Sequence, residues 1–260
     1  MTFIHTAFML TALMRDVGKP SEDREFLERY DPDAFDRPSV TVDVVLLAPD
    51  AGDLLTVLAR RHEPPHRGQW ALPGGFVHMD ESLDDAAARV LAEKAGYRGI
   101  FLEQLYTFGE PKRDPRMRII SVGYYALVPA AELSTISEDV QLARIRVPWE
   151  GETGGPVMLE GSSGSQLSLA FDHDQIVGMA VKRVRGKLNY TPIGFELLPD
   201  SFTMTELQRV HETVLGARVN PDSFRRRMLA SGLLEPTGQV RKGVGHRNPV
   251  LYRRSKSTKE

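Results

Sequence analysis

Glu81, Arg89 and Glu93 lie in a segment from Gly75 to Tyr97 whose spacing could assemble a metal–phosphate site. Leu83, Ala87, Val90, Leu91 and Ala95 recur near the helical period, which predicts a helix over 83–95 with Gly96 as its stop. Positions 90, 93 and 94 are related by i, i+3 and i+4, so they belong to one side of that helix. Carboxylates arrayed there hold Mg²⁺, a hard cation that takes oxygen ligands and is shared with substrate phosphates. Such a metal polarises a pyrophosphate and activates water. Here Val90 brings no oxygen and Lys94 brings a cation where a cation would bind, which leaves Glu81 and Glu93.

The segment resembles the Nudix box, Gly-x5-Glu-x7-Arg-Glu-U-x-Glu-Glu-x-Gly-U, with U a bulky apolar residue. Gly75, Glu81, Arg89, Leu91, Glu93 and Gly96 match it, while Val90 and Lys94 replace two glutamates. The resemblance implies a domain that keeps the Nudix shape without much of its metal site. In it Glu81 and Arg89 form a structural ion pair that braces the loop and helix.

The flanking stretches extend the likeness. Residues 61–77, including Arg61, Arg67, Trp70 and the Gly74–Gly75 pair, are similar to the strand and loop before a Nudix box, and glycines there let backbone approach a ligand closely. Residues 104–130 resemble the corresponding part of ADP-ribose-type Nudix proteins. Tyr106 and Phe108 are candidates for base or ribose contact, and Arg113, Arg116 and Arg118 for phosphate. The alternatives are that the aromatics are core and the arginines face solvent.

The elements that must position these groups read as strands over 39–48, 54–61, 100–108, 118–128 and 139–147, a Gly- and Ser-rich loop over 151–164, and a short strand over 167–170. A helix follows over 171–186, with Asp172 as its cap. Residues 15–38 are polar and carry three prolines, and residues 1–38 read as a poorly ordered leader.

A net charge of -2 hides a split. Residues 200–260 hold 12 Lys and Arg against 6 Asp and Glu, so a basic module sits on an acidic body and suits a polyanion partner. Its pattern is similar to a winged helix-turn-helix. One helix runs over 204–215 with Leu207, Val210, His211 and Val214 inward, and a second over 223–231 with Phe224, Met228 and Leu229 inward. Strands over 233–237 and 249–254 flank a basic wing. A helix of this kind presents side chains to the major groove while wing cations meet phosphate. The DNA-facing set is Thr203, Thr205, Asn220, Ser223, Arg225, Arg226, Arg227, Arg241, Lys242, His246 and Arg247.

The two halves together resemble the Nudix-related transcriptional regulators of NAD metabolism, the NrtR family. The likeness rests on residues 40–198, 202–216, 222–238 and 248–253. It implies an α+β chain with a Nudix-like α/β/α sandwich over 39–198 and a winged helix domain over 199–260. The function it implies is a homodimeric, cytoplasmic repressor of NAD biosynthesis or salvage genes that binds double-stranded operator DNA and releases it when ADP-ribose or NAD binds. The implied ligand site is Arg61, Arg67, Trp70, Gly74, Gly75, Phe76, Glu81, Glu93, Phe108 and Arg116, with no catalytic residue, no metal and no required cofactor. Two other readings stand beside it. One is an active ADP-ribose pyrophosphatase using Glu81, Glu93 and a carboxylate such as Glu110 or Asp114. The other is a module that uses the Nudix fold only for protein contact. The absence of cysteine excludes disulfides and thiolate metal sites, and no apolar run is long enough to span a bilayer.

Overall fold

Strand β1 (Ser39–Asp50) alternates its side chains between two apolar layers, as the period of two requires. Val45 and Leu47 enter one core; Val42, Val44, Leu46 and Ala48 enter the other. The structure is a computed structural model that describes residues 21–133, 137–188, 191–242 and 248–255. β1 is followed by β2 (Asp53–Arg60), β3 (Trp70–Ala71), β4 (Gly74–Phe76), β5 (Glu103–Phe108), β6 (Ile119–Leu127), β7 (Val140–Arg146), β8 (Met158–Glu160) and β9 (Gln166–Leu167). The sheet order is β5-β6-β1-β2-β7-β8-β9, with β3 on β2 and β4 on β1. The β1–β6 pair is parallel, and the other strand pairs are antiparallel.

Helices cover both faces. Numbered from the helix Ser21–Arg29 as α1, helix α2 (Leu83–Ala95) buries Ala86, Ala87, Val90, Leu91 and Ala95 on one face. Its boundaries match the sequence expectation, with Ser82 as N-cap and Gly96 left-handed at φ 74°. Helix α3 (His173–Lys187) buries Ile176, Val177, Ala180, Val181 and Val184 on the other face, completing the α/β/α sandwich.

Beyond it lie β10 (Phe202–Thr203), α4 (Met204–Leu215), α5 (Pro221–Ala230), β11 (Leu234–Val240) and β12 (Val250–Arg254), with sheet order β10-β12-β11. This is a winged helix. Its core joins Leu207, Phe224, Met228, Leu234 and Tyr252 to Phe202 and Phe195. Residues 194–201 are therefore no free connection: Phe195 stacks on Phe202 at 5.5 Å. Helix α4 has two apolar sides. Leu207 faces the winged-helix core, while Val210 and Val214 belong to the core under α3.

Four expectations need correction. Residues 21–29 of the leader form α1, in a unit separate from the rest; Glu22 and Asp23 in its first turn and Arg29 in its last suit the helix dipole, and Phe26 packs on Tyr30 at 5.5 Å. The expected surface loop over 151–164 contains β8, because Leu159 is buried and Glu160 accepts from Arg146 at 2.8 Å. Asp172 makes no side-chain cap for α3. Leu229 is exposed, since Phe224 and Met228 already fill the inward positions of α5.

His211 on α4 is buried edge-on against Phe224, ring centroids 4.9 Å apart, and its Nδ1 has no hydrogen-bond partner among the described residues. Burial, helped by the nearby Arg227 charge, pushes its pKa down to about 4. The unfolded chain takes up this proton near pH 6.5, the folded one only near pH 4, so stability is full above pH 6.5 and declines as pH falls through that window. At about 1.4 kcal/mol per pH unit, the loss by pH 5 is about 2 kcal/mol. We expect His211→Leu to remove that part of the pH 7 to pH 5 fall in thermal midpoint; an equal fall in parent and variant contradicts it.

Candidate functional site

The box helix shows an ion pair where a metal site would be. Arg89 donates from Nε to Glu81 Oε2 at 2.9 Å and from Nη2 to Glu81 Oε1 at 2.6 Å. Its Nη1 reaches Glu93 Oε2 at 3.2 Å, and Nη2 also donates to the Phe76 carbonyl at 2.9 Å. The His78 N–H donates to Glu81 at 2.8 Å. Hydrogen bonds from Arg89 and His78 hold the Glu81 pKa down at about 2. One guanidinium thus binds both remaining carboxylates and ties loop 77–82 to β4 and α2.

The single face expected of residues 90, 93 and 94 is split. Val90 is fully buried, and a Cβ on Gly75 would sit 3.0 Å from its Cγ1, whereas Glu93 and Lys94 are exposed. Among the described residues no three His, Asp or Glu side chains assemble into a metal-capable group. The donor set does not fit Mg²⁺: both carboxylates are bonded to Arg89, and the neighbouring position 94 carries a lysine in place of a third carboxylate.

A buried polar network lies behind the Gly-Gly turn. Asp43, in the middle of β1 and 5% exposed, accepts a short hydrogen bond from Ser121. It lies 3.6 Å from Arg113 Nη2 and 3.5 Å from His173 Nε2. Arg113 makes a bidentate pair with Asp172 at 3.0 and 2.6 Å, which explains why Asp172 does not cap α3. His173 Nδ1 accepts from the Leu72 N–H at 2.9 Å, so Nε2 carries the proton toward Asp43. Burial lowers the His173 pKa and keeps the ring neutral. Gly74 must be glycine here: a Cβ would fall 2.1 Å from Asp43 Oδ1 and 2.8 Å from the Val42 carbonyl.

Above this network two cations lie against aromatic rings. Phe171, left-handed at φ 54°, has the Arg61 guanidinium 4.8 Å and the Arg116 guanidinium 5.8 Å from its centroid. Arg116 also lies 5.4 Å from the Phe76 centroid. Arg116 is held by both oxygens of Asp114, at 3.0 and 2.8 Å. Among the described residues the Arg61 guanidinium bonds two carbonyls, Pro65 at 2.9 Å and Glu63 at 3.5 Å, and burial followed by repulsion from Arg116 lowers its pKa. Guanidinium groups are suited to anions and aromatic faces to flat rings, so the cluster brings both chemistries together.

The structure brings Arg61, Gly74, Gly75, Phe76 and Arg116 together, with Glu81 and Glu93 bound to Arg89 behind them. Trp70 and Phe108 are half-buried against the α3-side core, and Arg67 is exposed, with no side-chain hydrogen bond or ion pair among the described residues. Exposed Tyr106 packs edge-on against Phe108 at 5.4 Å, and Arg118 donates to the Gly109 carbonyl at 2.8 Å. Asp43, His173 and Phe171 escaped the sequence reading, and Asp172 entered it only as a helix cap. A lone aspartate inside the apolar run 40–48 was the one local signal.

In the winged helix Arg225 and Arg226 are exposed, with no ion-pair partner among the described residues, and Arg227 is exposed with its guanidinium 5.6 Å from the Phe224 centroid. Thr205, Ser223 and Lys242 are exposed too; Asn220 caps α5, accepting from the Ser223 N–H at 3.0 Å. Two members of the expected DNA-facing set are used internally instead. Thr203 is buried and forms a capping box with Glu206, because the first turn of α4 needs acceptors for its free N–H groups. Arg241 pairs with both oxygens of that same Glu206, at 2.7 and 3.1 Å, fastening the wing to α4. His246 and Arg247 lie outside the described residues.

Comparison with known proteins agrees with this architecture. Residues 37–150 match the NUDIX domain family, and residues 194–254 match the NrtR DNA-binding winged helix domain. The ADPR responsive transcriptional repressor NtrR of Acinetobacter baylyi is 37% identical over 235 residues, 90% of this chain and 88% of that one. A MutT/nudix family protein of Enterococcus faecalis superposes with a TM-score of 0.72 at 27% identity, covering 98% of this chain and 100% of that one. Shewanella oneidensis NrtR, crystallised with a 27mer DNA, superposes with a TM-score of 0.67 at 34% identity, covering 83% and 93%. Among the described residues no helix is long and apolar enough to cross a membrane.

The clash at Gly74 gives a direct test. Gly74→Ala should cost about 1–3 kcal/mol, the range for forcing an extra carbon into a packed interior. Chemical denaturation measures it, and a variant as stable as the parent would mean that Asp43 does not sit against this turn.

Proposed function

The chain belongs to the NrtR family, and from that membership we infer that it is a transcriptional repressor whose NUDIX domain binds ADP-ribose and whose winged helix binds operator DNA. The genes it represses are those of NAD biosynthesis or salvage, and the bound nucleotide, ADP-ribose or NAD, releases the DNA. The observation that carries the reading is the box helix. Glu81 and Glu93 are both bonded to Arg89, so the domain retains the folded loop of a nucleotide hydrolase without a metal-binding array. A sensor requires that arrangement, since it must bind its ligand without destroying it.

Arg61 and Arg116 are the phosphate-facing pair, and Phe76 and Phe171 offer the flat surfaces that a base or ribose covers. Arg61, with no carboxylate bonded to it and a second guanidinium nearby, gains most from an anion. Gly74 and Gly75 present backbone at the same opening. On the DNA side, Arg225 and Arg226 of α5 are the groove-facing cations, with Lys242 at the start of the wing. The protein acts as a homodimer, so that two winged helices meet two half-sites of a palindrome.

The test uses a duplex selected by the parent protein from a random-sequence library. Saturating ADP-ribose should weaken its binding by about 5- to 150-fold, the usual span of allosteric coupling. Replacing Arg225 and Arg226 together by alanine should weaken it without ligand and reduce the salt dependence of the remainder. The same preparation, given ADP-ribose with Mg²⁺ or Mn²⁺, should release no AMP above background. Turnover near the enzyme median of about 10 s⁻¹ would make the domain a working pyrophosphatase. Unchanged DNA affinity at saturating ADP-ribose would remove that nucleotide as effector.

A further inference from the structure

Helix α3 runs from the candidate ligand site to the winged helix and is bonded at both ends. Its first turn carries site groups. Phe171 lies under Arg61 and Arg116, Asp172 holds Arg113, and His173 holds the Leu72 N–H of the loop before the Gly-Gly turn. None of these bonds is a helix cap, so each ties the rod to a different wall of the site.

The other end carries Arg185, about 20 Å along the axis at 1.5 Å per residue. Arg185 is 4% exposed, and among the described residues its hydrogen-bond acceptors are backbone carbonyls. It donates from Nε to the Val214 carbonyl at 2.9 Å and from Nη1 to the Trp149 and Gly151 carbonyls at 3.3 and 3.2 Å, with the Trp149 ring 4.8 Å away. Val214 is in the last turn of α4, where helix carbonyls lack internal partners and the dipole is negative. A Cβ on Gly216, the left-handed stop of α4, would lie 3.0 Å from Arg185 Nη2. Val181 and Val184 of α3 share one core with Val210 and Val214 of α4. The C-terminal half of α3 and the first winged-helix helix are thus one packed body.

We propose that α3 is the element that transmits ligand binding to the DNA-binding domain, and that Arg185 is the positioning residue that couples it to α4. The proposal rests on the ADP-ribose-responsive reading and adds its route. A phosphate that draws Arg61 or Arg116 off Phe171, or competes with Asp172 for Arg113, alters the bonds that set the position of the α3 N-terminus. Packed interiors transmit such displacements instead of absorbing them. At the far end the displacement reaches the α4 carbonyl through Arg185, and α4 carries α5 and the wing with it through Leu207, Phe224 and Glu206.

Two measurements test this. In the first, Arg185→Lys and Arg185→Gln are compared with the parent for binding of ADP-ribose and of the selected duplex, each alone and together. We expect each single affinity to stay within about threefold while the factor by which ADP-ribose weakens DNA binding, about 5- to 150-fold in the parent, falls toward one. Folded variants that keep the parental factor overturn the α3 route and leave the repressor reading standing. A parent that shows no factor overturns both. The second needs no variant: hydrogen exchange of the parent with and without ADP-ribose, in the absence of DNA. Changed protection is expected in residues 212–218 and 149–153 as well as around residue 171. Changes confined to the site overturn the proposal.

Discussion

The carboxylate of Asp43 sets the terms for the rest of the sandwich. It sits mid-strand, almost fully buried, where an ionised group is tolerated only inside a shell of donors. Those donors come from separate parts of the chain: Ser121 on β6, Arg113 from the loop before it, and His173 on α3. Because all three must converge on one strand residue, the β5–β6 loop and the start of α3 are drawn to the same point. Gly74 gives up its side chain to let them close. The cluster of Arg61, Arg116, Phe76 and Phe171 adjoins that point, with the Phe171 and His173 rings 5.6 Å apart.

The box helix carries a parallel substitution. The substituted positions are Val90 and Lys94, while Arg89, which the Nudix box shares, satisfies Glu81, Glu93 and the Phe76 carbonyl at once. These bonds and the His78 N–H tie the loop to β4 and α2. Placing Val90 in the core under Gly75 makes the change hard to reverse, since a carboxylate there would meet apolar neighbours on the α2 side of the sheet.

Much of this was legible in the sequence where the determinants are local. The α2 limits, the Glu81–Arg89 pair, the α4 limits and the inward set Leu207, Val210, His211 and Val214 follow from period, caps and motif spacing. What was not legible depends on partners distant in the chain. Asp172 reads as a cap because aspartate before a helix usually is one; only the fold places Arg113, 59 residues away, against it. Thr203 reads both as a cap of α4 and as a DNA-facing hydroxyl, and the capping box with Glu206 three residues on settles it as the cap, whereas Arg241 reads as a wing cation because Glu206 lies 35 residues away in the chain. Arg185 reads as one more charge in the last turn of a helix, yet it is buried and joins the two domains. The left-handed Phe171 has no sequence signal at all.

The proposed energetic link between a nucleotide in the sandwich and DNA on the winged helix must act equally in both directions. Calorimetric titration of ADP-ribose into the free protein and into its complex with the selected duplex measures that link directly. The structure predicts weaker ADP-ribose binding to the complex, by the same factor as ADP-ribose weakens DNA binding. Equal affinity for the two forms, or tighter binding to the complex, would contradict it.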